Sequence, residues 1–322
     1  MKKFLMRLSV TVLCFLSFTV PVQAADFLIP VGQVVGLELG TGTVTVAAFD
    51  EALGSAAKEA GLQVGDTLVR INGKEVAAVE DVHNALRTSD GTVTVEYLRC
   101  GKECSLRLEP RITTDGPKLG VYLQQGITGI GTVTYFDPED GSFGTLGHGV
   151  TEKSGALVPM RQGSAYSASV ISVRKGTAGK PGQLIGAVDA RKSIGTLLRN
   201  TDRGLFGISE TGWQGTLLPI ADADELHTGN AEILSTVSGN TPRKYSVEII
   251  KIYPSDRDTG RNMLLRVTDP ALLEATGGIV QGMSGSPILQ DGKLVGAVTH
   301  VLVNAPDTGY GIFIENMLDA AE

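Results

Sequence analysis

The stretch GIVQGMSGSPILQDGKLVGAVTHVLVN, Gly278 to Asn304, decides how the larger C-terminal part of this chain is read. A turn dense in Gly, Ser and Pro runs into the strand-like segment LVGAVTHVLV. That density ordinarily marks only a connection between strands. Here it also carries two hydroxyls, Ser284 and Ser286. A serine hydroxyl is a weak nucleophile at neutral pH, and needs a base in hydrogen-bond reach and backbone donors facing the developing oxyanion. Gly282, two residues before Ser284, leaves its N–H free to turn toward the same point as the Ser284 N–H. Ser286 ranks second, because Ser284 stands two residues before it and Pro287 removes a donor after it.

Working outward, residues 118–322 are rich in glycine and in short strand-like runs: KLGVYLQ, GIGTVTYF, ASVISVRK, EIIKIY and MLLRVT, with turn signals between them. Only two marginal helices interrupt the pattern, at 269–278 and 314–321. The expectation is a mainly β fold, a barrel or a pair of barrels. His148, in GTLGHGV, lies in a loop as glycine-rich as that of Ser284 and is the candidate base. His300 is expected to face the core and His227 to sit in a surface loop. Asp269 begins DPALLEATGG, where it either N-caps a helix with Pro270 at its first position or orients the base. Asp137, Asp140 and Asp189 are the other carboxylates considered.

The N-terminal part reads differently. Lys2, Lys3 and Arg7 precede the apolar run Leu8 to Val20 and a small-residue site ending at Ala24, the parts of an export signal over residues 1–24. The run is short for a membrane span, so removal near Ala24 is expected, with an uncleaved anchor as the alternative. Export permits disulfides. Cys100 and Cys104, between TVTVEYLRC and CSLRLEP, either close one across a hairpin or remain free thiols. The 322 residues, with 41 glycines and one Trp, point to two domains of many short strands. The net charge of -7 leaves no electrostatic footprint for nucleic acid.

Within residues 27–112, SAAKEAGLQVGDTLVRINGKEV supplies a helical turn ended by Gly61, a strand from Thr67 to Ile71 and an Asn72-Gly73 hairpin signal. A second helix covers 79–88. The string resembles the core of a PDZ domain of the type attached to bacterial exported proteases. The resemblance implies a peptide bound by strand addition, its carboxylate held by a loop matching Val35, Gly36, Leu37, Glu38 and Leu39. His83 either contacts that peptide or is a surface histidine. Residues 113–117 are expected to be a linker.

GTLGHGV, KPGQLIG, TDPALLEATGGIVQGMSGSPILQDGKLVGAVTHVLVN and TGYGIFIENML together resemble the stage IV B sporulation serine peptidase family. The resemblance implies a PDZ domain followed by a chymotrypsin-like double β-barrel peptidase domain over 118–322. It implies a catalytic set of His148, Asp269 and Ser284, an oxyanion hole at Gly282 and Ser284, and no metal or organic cofactor. It further implies an exported signalling endopeptidase acting between forespore and mother cell. Such an enzyme processes itself within residues 25–60 and cleaves a membrane-held regulator, so that intramembrane proteolysis activates a late sigma factor. The PDZ domain would gate this by binding the protein's own segment or C-terminal or internal peptides of a target. The competing readings are a non-catalytic PDZ adaptor and a general extracytoplasmic quality-control protease.

Overall fold

The alternating and apolar runs of the sequence become strands, and most of the glycines between them adopt the left-handed backbone that tight turns demand. The computed structural model describes residues 27–152, 154–255 and 260–322. The expected export segment lies outside these residues. In chain order, β1 (Phe27–Pro30) and β2 (Val34–Phe49) lead into α1 (Ser55–Glu59), β3 (Thr67–Ile71), β4 (Lys74–Glu75) and α2 (Val79–Arg87). The hairpin β5 (Val93–Arg99) and β6 (Lys102–Leu108) follows, then the short pair β7 (Arg111–Thr113) and β8 (Gly116–Lys118). Next come β9 (Val121–Phe136), β10 (Ser142–Thr145), β11 (Gln162–Arg174), β12 (Gln183–Thr201), β13 (Gly204–Ser209) and β14 (Leu218–Pro219). The last part holds β15 (Gly229–Ser235), β16 (Arg243–Ile252), β17 (Met263–Val267), α3 (Pro270–Thr276), β18 (Pro287–Gln290), β19 (Lys293–Leu302), β20 (Ala305–Phe313) and α4 (Ile314–Ala321).

Two rings of antiparallel strands organise the molecule. β2, β9, β10, β13, β12 and β11 pair in that order, and β11 pairs back onto β2. The closed barrel β15-β16-β17-β20-β19-β18 repeats the arrangement. Numbered along the chain within each ring, both have the order first-second-third-sixth-fifth-fourth. This is the double β-barrel expected from the sequence. Closure removes the exposed edges that an open sheet would present. The first barrel is filled by Val35, Leu37, Leu39, Val133, Phe143, Leu197 and Leu205. The second is filled by Ile233, Val247, Ile249, Leu265, Ile288 and Val298.

The PDZ-like unit grows out of the first barrel without a linker. β2 and β9 each run 16 residues. Their first- and last-part registers differ: Leu39 faces Ile127, and pairing resumes at Val44 with Gln125. The extra residues bulge opposite Gly126, whose φ of +72° and approach to the Leu39 carbonyl admit no side chain. Beyond the bulge, Val44, Val46, Leu68, Val82, Leu86, Val93 and Leu119 form a separate core. The boundary at 113–117 therefore needs correction. Residues 27–40 belong to the first barrel, and 119–125 belong to the PDZ-like core.

The disulfide alternative is also corrected. Cys100 (φ +50°) and Gly101 (φ +76°) form the two-residue turn of the β5–β6 hairpin, while Cys104 lies opposite Tyr97. The register thus offers Cys104 a tyrosine rather than Cys100, and both thiols are free.

Candidate active site

His148 leaves β10 through Leu146 (φ +70°) and Gly147 (φ +69°), two consecutive left-handed residues that reverse the chain. A side chain at position 149 would strike Leu157 and the Thr201 carbonyl, at 2.3 and 2.4 Å. The glycines flanking His148 are thus required by packing. His148 Nδ1 lies 2.9 Å from the Gly149 carbonyl. A carbonyl only accepts, so this bond places the proton on Nδ1 and leaves Nε2 as the proton acceptor. Burial pushes the imidazole below its ordinary range, with the Gly149 carbonyl pulling the other way.

The Ser284 loop enters the same cleft, of about 660 Å³, from the second barrel. Gly282 has φ +99° and Gly285 φ +95°. A Cβ on Gly285 would lie 2.0 Å from the Thr132 carbonyl, so only glycine fits there. The Ser284 hydroxyl donates to the Thr299 carbonyl at 2.7 Å. The N–H groups of Met283, Gly285 and Ser286 bond to Val280, Val298 and Met283 carbonyls. Those of Gly282 and Ser284 meet no acceptor among the described residues, and both residues border the cleft. Ser286, by contrast, is fully buried and bonded to the Ser235 hydroxyl at 2.9 Å.

Three side chains not singled out as part of the site shape this loop. Thr132 on β9 takes the Ser284 carbonyl on its N–H and donates its hydroxyl to the Gly282 carbonyl at 2.8 Å. Thr134 donates to the Gly285 carbonyl at 2.8 Å. His300, expected in the core, instead lines the cleft, its ring centroid 4.9 Å from that of His148. Burial against the cleft wall, then His148 and Arg261, lowers His300 to about 4. No signal in the sequence marks it: residues 294–299 of β19 are all buried without alternation, and a register shift between Val298 and His300 turns the ring outward. The remaining walls are mostly aliphatic, among them Leu37, Leu39, Ile130, Ile279 and Val301, with Thr151, Asp202 and Gln281 as polar exceptions. No group of three or more His, Cys, Asp or Glu side chains fit to hold a metal occurs among the described residues.

Residues 115–318 match the family model of the SpoIVB peptidase S55. The chain belongs to this family. It also carries a PDZ domain, whose own family model matches residues 51–99. Among curated proteins, this S55 peptidase is 39% identical over 90 residues to the putative zinc metalloprotease Atu1380 of Agrobacterium fabrum, covering 28% of this chain and 23% of that protein. It is 32% identical over 144 residues to a putative zinc metalloprotease of Vibrio cholerae, covering 44% of this chain and 30% of that protein. The chain thus spans a quarter to a third of the length of these relatives. Among solved structures, the PDZ domain of the SdrC-like protein Lmo2051 from Listeria monocytogenes matches with a TM-score of 0.22 and 20% identity, over 25% of this chain and 85% of that one. The active form of the Rv3671c protease from M. tuberculosis matches with a TM-score of 0.35 and 15% identity, over 73% of this chain and 80% of that one.

Two placements in the S55 peptidase differ from expectation. Asp269 does not meet His148. Its Oδ1 accepts from the Leu272 N–H at 3.0 Å as the N-cap of α3, and its Oδ2 accepts from the Ser246 N–H at 3.4 Å. It does not border the cleft. Nor do Asp137, Asp140 and Asp189, which serve turns and, for Asp189, Arg191. The segment Val35, Gly36, Leu37, Glu38, Leu39 is no open edge for a peptide. It is hydrogen-bonded to β9 on one side and β11 on the other, at the centre of the first barrel. His83 is exposed on α2 beside Glu80, at 3.7 Å.

Proposed function

We propose that this peptidase is an exported signalling endopeptidase in which Ser284 is the nucleophile, His148 the general base and the Gly282 and Ser284 N–H groups the oxyanion hole. The observation that carries the reading is the pair of unengaged N–H groups at Gly282 and Ser284, beside Met283, Gly285 and Ser286, whose N–H groups are all bonded. Such donors are free to meet a tetrahedral oxyanion. The Ser284 hydroxyl turns from the Thr299 carbonyl toward His148 Nε2, gives up its proton there and attacks the scissile carbonyl. His148 then returns the proton to the leaving amine. The substrate is a membrane-held regulator exposed outside the cytoplasm, and its cleavage starts intramembrane proteolysis in sporulation. Self-processing falls either before Phe27 or in the exposed turn at Glu51-Ala52, because residues 27–30 and 34–49 are strands of the folded units and the short link between them is largely buried.

The PDZ unit binds a C-terminal or internal peptide along Val121–Gln125. This part of β9 pairs with β2 on one edge and, among the described residues, has no strand on the other, where the Val79 N–H of α2 reaches the Gln125 side chain at 3.0 Å. Leu119 and Gly120 form the preceding loop, and α2 with His83 forms the opposite wall. The decisive experiment is labelling with a fluorophosphonate probe and mapping of N-termini by mass spectrometry, for the wild type, Ser284→Ala and His148→Ala. The reading expects both variants to lose labelling and self-processing. Wild-type behaviour in Ser284→Ala refutes it.

A further inference from the structure

We propose that one substrate chain lies along β9 from Ser284 into the PDZ groove, so that the enzyme cuts at a set distance before a free C-terminal carboxylate. This deepens the reading above and rests on its assignments of Ser284 and of the Val121–Gln125 edge. The course of β9 makes the case. Val121 to Ile130 are all at least partly exposed, whereas Gly131 to Phe136 are all buried. Through both halves, β2 covers the same edge of β9. Among the described residues, the other edge meets a strand only from Val133 onward, where β10 pairs. It is therefore open from the PDZ groove to the cleft.

The backbone shows which groups that edge offers. The Thr132 N–H donates to the Ser284 carbonyl and the Thr132 carbonyl accepts from the Leu146 N–H, so both point away from β2. These directions alternate along a strand, and pairing with β2 is regular from Thr132 back to Ile127. Ile130 and Thr128 therefore turn their N–H and carbonyl groups to the open side. Ile127, Gly129 and Ile130 line the Ser284 cleft, and Thr128 lines the adjoining hollow with Gln281 and Gly282. An extended chain added here gains ladder partners without opening any existing pair.

The PDZ groove sets the direction. Its carboxylate loop, Leu119 and Gly120, precedes β9, so a bound tail ends beside Val121 and runs antiparallel to the strand. Upstream residues then pass Gln125, bend with the strand at Gly126 (φ +72°) and reach Ile127 to Ile130. The tail thus belongs to the leaving-group side of the cut. At roughly 3.3 Å per residue, Val121 to Ile130 spans about 30 Å, which places the scissile bond about 9–12 residues before the carboxylate. β2 and β9 continue from barrel to PDZ unit as single strands, so this distance is fixed and not averaged over a flexible tether. The substrate class is a polypeptide with an extended, accessible C-terminus.

The test uses the full chain and synthetic peptides. A tail is first selected on Ser284→Ala from random hexapeptides with a free C-terminal carboxylate, the amidated set serving as counter-selection. The selected tail is then placed after a random stretch, in peptides of about 30 residues, and the cuts made by wild type are mapped by mass spectrometry. Cuts are expected to cluster about 9–12 residues before the carboxylate. Amidating the tail is expected to slow cleavage about tenfold or more and to scatter the cuts. Cuts spread evenly along the random stretch, or unmoved by amidation, overturn the proposal. So does a wild type that labels with the fluorophosphonate probe and cleaves no tailed peptide. Failure to select any carboxylate-dependent tail refutes the PDZ-edge assignment and the proposal with it. Cutting that survives Ser284→Ala refutes the nucleophile assignment itself, a different result from either.

Discussion

At the scale of single residues, Ser284 and Ser286 look alike in sequence and opposite in structure. One borders the cleft and the other closes a buried hydroxyl pair with Ser235. Ser286→Ala leaves the Ser235 hydroxyl without this partner and is expected to cost about 1–2 kcal/mol of stability with labelling intact. Ser284→Ala is expected to do the reverse. Urea unfolding and probe labelling of both variants check this. The histidines respond to pH in separate ways. His148 must be neutral to accept a proton, and burial holds it below 6.5, so the acid limb of activity is expected below pH 6.5. His300 sits at about 4, against 6.5 in the unfolded chain. The unfolded state takes up a proton that folded His300 refuses, so stability falls as pH drops from about 6.5 to about 4. His300→Asn is expected to flatten that slope in denaturation curves measured across the window.

At the scale of elements, β9 is the central piece. Its first residues form the edge proposed for a PDZ ligand, and Thr132 and Thr134 grip the Ser284 loop through three carbonyls. One strand therefore joins the two places directly, past the bulge opposite Gly126 where its pairing with β2 shifts register. Thr132→Val keeps the side-chain volume and removes only the hydroxyl bonded to the Gly282 carbonyl. It is expected to lower the labelling rate about tenfold and to weaken any rate increase produced by a PDZ-binding peptide, as read in titrations of labelling against peptide. The α3 helix has a humbler role for its aspartate. Asp269→Ala loses the cap and is expected to lower stability by about 1 kcal/mol.

At the scale of the whole molecule, the PDZ-like unit is an insertion into a barrel rather than a bead before one. A chain beginning at Lys118 lacks β2, leaves β9 and β11 as open edges, and is expected to be insoluble. Replacing residues 41–125 by a two-residue Asn-Gly turn joins Gly40 to Gly126, next to the paired Leu39 and Ile127. That variant is expected to fold and to label with the probe, but to ignore PDZ ligands. Size-exclusion chromatography and labelling of the two truncations compare these outcomes directly.

The sequence by itself determined what short-range chemistry encodes. Alternating runs gave the strands, Asn72-Gly73 gave its turn, and Gly282-Met283-Ser284-Gly285 with the glycine-flanked His148 marked the candidate pair that the fold brings to one cleft. Tertiary structure alone decided what depends on pairing between distant segments. Ring closure carried residues 35–39 into the first barrel and freed 121–125 as an edge. Hairpin register separated Cys100 from Cys104. A carboxylate that caps a helix and one that orients a histidine cannot be told apart by local sequence, and only the fold put Asp269 on the Leu272 and Ser246 N–H groups, off the cleft. Local propensity acts over a few residues, whereas strand order is set by burial and hydrogen bonding summed over the whole chain.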